Sequence, residues 1–178
     1  MKKNKIFSII FFLMSLPVFA QKAPVDAGIS KILNVNKLIT LPAKLIFFVN
    51  NVEGEIRREY SEACEGSFYD IWDTKAGVNV ILVTLLNKTQ YVSIAYREAN
   101  QVSGLPLGLI FNESTFAECK NNFKKYNAKW SQVVGDEQDN GITHFQLSFA
   151  VGKLFIDLDF FGEEKLLQSI RIATTKMD

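Results

Sequence analysis

The stretch His144-Phe145-Gln146-Leu147-Ser148-Phe149-Ala150-Val151-Gly152-Lys153-Leu154-Phe155-Ile156-Asp157-Leu158-Asp159-Phe160-Phe161 decides the fold. Phe145, Leu147 and Phe149 alternate with His144, Gln146 and Ser148, the period of a strand with one buried and one wet face. Leu154, Ile156, Leu158 and Phe160 then alternate with Phe155, Asp157, Asp159 and Phe161. The Val151-Gly152-Lys153 link is short enough for a hairpin. Gly162-Glu163-Glu164-Lys165 predicts a further turn, and 167–174 a third strand. Upstream, 78–86 and 89–97 predict a matching pair joined at Asn87-Lys88, with an earlier strand over 68–72.

Helices are expected ahead of each group of strands. Phe116, Cys119, Phe123 and Tyr126 fall on one helical stripe, capped by Asn112 or Ser114. Val52, Ile56, Tyr60 and Cys64 step by four along one face, although Gly54 weakens a helix there by about 1 kcal/mol. Leu41-Pro42-Ala43-Lys44-Leu45-Ile46-Phe47 recurs as Leu105-Pro106-Leu107-Gly108-Leu109-Ile110-Phe111, five of seven identical at an offset of 64. The same offset lays Ile81, Val83 and Leu85 on Phe145, Leu147 and Phe149. These patterns predict an α+β fold: two tandem helix-plus-antiparallel-strand units of about 64 residues, 38–100 and 102–175, sharing one core with the helices on one sheet face.

The first twenty residues read as an export signal. Lys2, Lys3 and Lys5 precede the apolar run 6–14, and Val18 and Ala20 give a small-residue cleavage site. The run is too short to span a bilayer, which takes about 20 apolar residues. Cleavage near Ala20 leaves an N-terminal segment, 21–37, ahead of the first unit. The expected location is the bacterial periplasm or medium. Losing the leader's three lysines leaves 17 basic against 19 acidic side chains, a net charge of −2. That balance argues against a nucleic-acid partner. An oxidising compartment lets Cys64 pair with Cys119. Closing that loop is worth about 4 kcal/mol on chain entropy. The alternative is a reactive thiol working with His144.

Catalytic candidates are few. His144 is the only histidine in the 178 residues, and it shares a strand face with Gln146 and Ser148. A general base needs a nucleophile and an orienting acid, which only the fold could bring. Asp157 and Asp159 form an i, i+2 pair suited to acid–base work or to calcium, and equally to keeping a strand face soluble. No phosphate loop, dinucleotide fingerprint, serine-hydrolase elbow or zinc-protease motif is present, and no cofactor or metal is expected. Trp72 and Trp130 are candidate partner anchors. Val80, Leu82 and Leu86 give strand 78–86 a second apolar face, either covered by a segment such as 32–39 or offered to a partner.

The Gly104-Leu105-Pro106-Leu107-Gly108-Leu109-Ile110-Phe111 lead, the amphipathic helix and the strand meander resemble small exported bacterial α+β proteins. The arrangement resembles the β-lactamase inhibitory protein type and periplasmic immunity proteins, over 102–175 and more loosely over 38–100. That type closes a disulfide within each repeat, whereas here each unit holds one Cys, and no site residue transfers. Secretion, small size, duplicated α+β units and the absence of a catalytic constellation point to a non-enzymatic secreted binding protein, an inhibitor or immunity protein against a toxin or enzyme, with a protein partner. The alternative is a periplasmic small-ligand or lipid carrier using a cleft between helices and sheet.

Overall fold

The computed structural model describes residues 23–60, 67–85, 88–134 and 143–176. The expected export signal and Leu86 lie outside them. Strands form where they were expected: β3 (Ser67–Asp73), β4 (Asn79–Leu85) and β5 (Lys88–Ala95), then β8 (Thr143–Val151), β9 (Leu154–Phe161) and β10 (Leu166–Ala173). Two further strands, β2 (Glu55–Tyr60) and β7 (Lys129–Val134), complete one sheet in the order β2-β3-β4-β5-β10-β9-β8-β7. All seven pairings are antiparallel. Two four-stranded meanders therefore meet at the seam β5·β10, where Ser93 lies opposite Arg171 and Ala95 opposite Ser169. A separate parallel pair joins β1 (Val25–Asp26) to β6 (Val102–Ser103).

Helix is scarce. α1 (Leu45–Val49) has five residues and α2 (Phe116–Asn122) seven, supplemented by 3-10 turns at Ser30–Ile32, Pro106–Gly108 and Lys124–Tyr126. The expected α+β fold of two helix-plus-strand units is therefore corrected to a mostly antiparallel β architecture. One reason lies in Glu55–Tyr60, which pairs residue by residue with β3 instead of coiling. Gly54 sits at φ +133° with the Asp73 carbonyl oxygen only 2.6 Å from where a Cβ would stand, so it admits a close backbone crossing and is not inside a helix.

The 64-residue offset is corrected too. About the sheet centre β4 faces β9 and β5 faces β10, whereas the offset lays β4 on β8 and β5 on β9. The two similar Leu-Pro segments also differ in conformation. Residues 45–49 are helical, whereas Phe111 is extended and bridges Val102.

The core lies on one face of the sheet. One buried cluster joins Trp72, Val80, Leu82 and Ile94 of the first meander to Leu147, Ile156, Phe160 and Ile170 of the second. Phe48 of α1, Cys119 of α2, Ile32 and Ile39 belong to the same cluster. The α2 stripe was legible, since Phe116 meets Phe160 edge-on and Phe123 stacks on Phe149 at 4.6 Å. Its cap is Thr115, in place of the expected Asn112 or Ser114, and forms a capping box with Glu118.

Candidate functional site

The other face of the sheet brings together residues that the sequence offers separately. His144 and Gln146 on β8 stand beside Asp159 on β9, because the ladder pairs Gln146 with Asp159 and Ser148 with Asp157. On the far side of β9, Arg171 of β10 lies opposite Asp157. Asp159 Oδ1 accepts from Gln146 Nε2 at 3.1 Å and Arg171 Nη2 at 3.2 Å, and His144 Nε2 lies 3.6 Å from it. Arg171 Nη2 also lies 3.8 Å from Asp157 Oδ2. The His144 ring stacks on Phe161 at 4.6 Å, and Ser148 Oγ donates to Gln146 Oε1.

Asp157 and Asp159 are only 8% and 5% exposed, so the expected wet strand face is a shielded polar cluster. Burial is the largest single influence on Arg171 and opposes its charge. Asp159, Tyr91 and Asp157 together outweigh it, and the guanidinium pKa is raised. Burial also lifts the Tyr91 phenol above its ordinary range, against the pull of Arg171 and a hydrogen bond with Ser93. Arg171 and Tyr91 complete the cluster and were missed in the sequence, because a period-two pattern does not reveal which distant strands pair at the seam. Arg171 Nε is buried without a hydrogen-bond partner.

Among the described residues His144 has no hydrogen bond to a hydroxyl or thiol, and no group of three or more metal-ligating side chains occurs. Cys119 belongs to the core cluster on the opposite side of the sheet, so it does not form a Cys–His pair. It carries a free thiol, 2% exposed, which corrects the expected bond to Cys64, a residue outside the described set. The physical reason is reach. Tyr60, four residues before Cys64, ends edge strand β2, while α2 packs on β8, six strands away. At roughly 4.8 Å per strand that is about 29 Å across the sheet. Four residues span about 14 Å at most.

Burial, and secondarily Glu118, pushes the Cys119 thiol from 9.0 up to about 12. A raised folded-state pKa means a stabilising contribution that is complete below the unfolded value and lost as pH climbs toward the folded one. Urea unfolding between pH 9 and 12 is therefore expected to lose up to about 1.4 kcal/mol per pH unit. The slope should be shallower in Cys119→Ala.

The expected partner anchors divide. Trp72 is 1% exposed and Val80 and Leu82 are fully buried, all within the core cluster that also holds Ile32 and Ile39. Trp130 on β7 is 51% exposed. It meets Phe116 edge-on at 6.0 Å and Phe145 at 6.2 Å. Lys120 Nζ sits 4.8 Å from the Trp130 ring, and Lys165 Nζ 4.1 Å from the Phe145 ring. A cleft of about 380 Å³ is lined by Asn34, Lys37, Gly104 and Ile110, among others. It lies between the first 3-10 turn and the 104–110 segment, not between helices and sheet.

No known family model and no curated protein matches the sequence. Among solved structures, an extracellular protein containing a SCP domain from Bacillus anthracis str. Ames aligns with 97% of this chain and 49% of its own, at 12% identity and a TM-score of 0.50. A cysteine-rich secretory protein from Staphylococcus aureus subsp. aureus Mu50 aligns with 86% of this chain and 50% of its own, at 13% identity and a TM-score of 0.47. The chain thus spans about half the length of each. At such identity the likeness to the first concerns the fold alone. It corrects the expected kinship with the β-lactamase inhibitory protein type, whose repeat of helix plus strands this sheet does not follow.

Proposed function

We propose that the chain is an exported, non-enzymatic binding protein that acts by covering a surface of another secreted protein, as an inhibitor or immunity protein does. One observation carries the reading: among the described residues the charged groups beside His144 pair with one another, with Arg171 shared between Asp157 and Asp159. Carboxylates and a guanidinium that neutralise one another in this way serve to order a sheet. Export is supported by Lys2, Lys3 and Lys5 ahead of the apolar run 6–14, and by a fold neighbour described as extracellular.

The test uses residues 21–178 immobilised and exposed to the secreted proteins of the producing strain and its competitors. The expected result is a stoichiometric retained protein whose own activity falls as this chain is added. Retention of nothing, together with a small molecule or lipid co-purifying in native mass spectrometry, overturns the reading in favour of a carrier.

A further inference from the structure

The two open edges of the sheet differ in chemistry. β2 carries Glu55, Arg57, Arg58 and Glu59 among its six residues. Its arginines are engaged, Arg57 with Glu59 and Asp73, and Arg58 in a two-pronged pair with the buried Asp70. Charged, self-paired side chains of this kind keep an edge from recruiting other strands. β7 has a single charge, Lys129, followed by Trp130, Ser131, Gln132, Val133 and Val134. Among the described residues no strand pairs with its outer side. An unpaired edge presents alternate N–H and C=O groups outward, ready to accept one more strand.

The surroundings of β7 state what such a strand would carry. Trp130 points to the same sheet face as Phe145 and Phe116, where Lys120 and Lys165 hold their ammonium groups over aromatic rings. Among the described residues no carboxylate pairs with Lys120, Lys129 or Lys165, in contrast to Arg57, Arg58 and Arg171. An added strand would run along Trp130 with two of these cations on one face and Lys129 on the other. A second copy of β7 would bring the same lysines together, which is repulsive. The β2 edge of a second copy carries Arg57 and Arg58 beside Glu55 and Glu59, so it would bring cations as well as carboxylates to these lysines.

We infer that β7 is a docking edge for an extended, acidic segment of a protein partner, which adds as a ninth strand, covers Trp130 with an apolar side chain and meets Lys120 and Lys165 with carboxylates. This deepens the binding-protein reading and rests on it. The backbone ladder would supply affinity and the lysines would select the sign of charge.

The test needs no natural partner, so its failure is distinct from failure of the capture experiment. A synthetic decapeptide Glu-Thr-Val-Thr-Glu-Thr-Val-Thr-Glu-Thr, which puts Glu and Val on the same face of a strand, is titrated into residues 21–178, with the same peptide carrying Lys for Glu as control. Expected are slowed amide exchange in 129–134, a blue shift of Trp130 fluorescence, and affinity about tenfold or more above the control. Lys120→Glu with Lys165→Glu should abolish that preference without changing the far-ultraviolet circular dichroism. No binding at millimolar peptide, equal binding of both peptides, or protection of β2 in place of β7 overturns the proposal.

Discussion

Trp72→Ala is expected to destabilise the protein by about 4 kcal/mol, seen as a large drop in the urea midpoint. The indole is 1% exposed and stands on β3 directly opposite Val80 of β4. It shares the core cluster with Leu82, Val92 and Ile94. Removing it leaves a cavity bordered by strands paired on both sides, so the walls cannot collapse inward, and the cost approaches the upper range for aromatic truncations. Trp72→Phe should lose considerably less. An indole that met a partner would behave differently, since its truncation would leave the midpoint in place and weaken binding only. Trp130→Ala is the internal comparison, because its ring is half exposed on an edge strand.

Much of the strand content was legible because β8 and β9 alternate and β4 is a short apolar run bounded by turn residues, whereas β2 was not. Val52, Ile56 and Tyr60 are spaced by four, which fits one face of a helix, but four is also twice two. Ile56 and Tyr60 therefore share one face of a strand, with the polar Arg58 between them, while Val52 lies ahead of β2 and joins the core. An edge strand tolerates that interruption, since its outer residues need not be buried; all six residues of β2 are exposed.

The Leu-Pro repeat misled for a related reason. Similar apolar letters took different partners, Phe111 bridging Val102 while the Leu45–Val49 segment coiled and buried Phe48. In the polar cluster His144, Asp157 and Asp159 were each visible from their strand faces. Their meeting depends on the cross-strand register and on the β5·β10 seam, which bring in Tyr91 and Arg171 from elements that the local pattern does not connect.

This cluster ties β8, β9 and β10 of the second meander together, with Tyr91 of β5 beside it across the seam. Arg171 is its keystone, bonded to Asp159, close to Asp157 and lying opposite Ser93 across the seam. Its side chain is 28% exposed, against 11% for Asp157 and 8% for Asp159. Removing the cation leaves two shielded carboxylates without their common partner, and breaking such a pair costs on the order of 3 kcal/mol. The decisive measurement is therefore urea unfolding of Arg171→Met, alone and combined with Asp157→Asn and Asp159→Asn. A loss of about 3 kcal/mol in the single variant, largely recovered in the triple, is predicted. An unchanged midpoint for Arg171→Met, with loss of a catalytic or binding activity instead, would contradict the account.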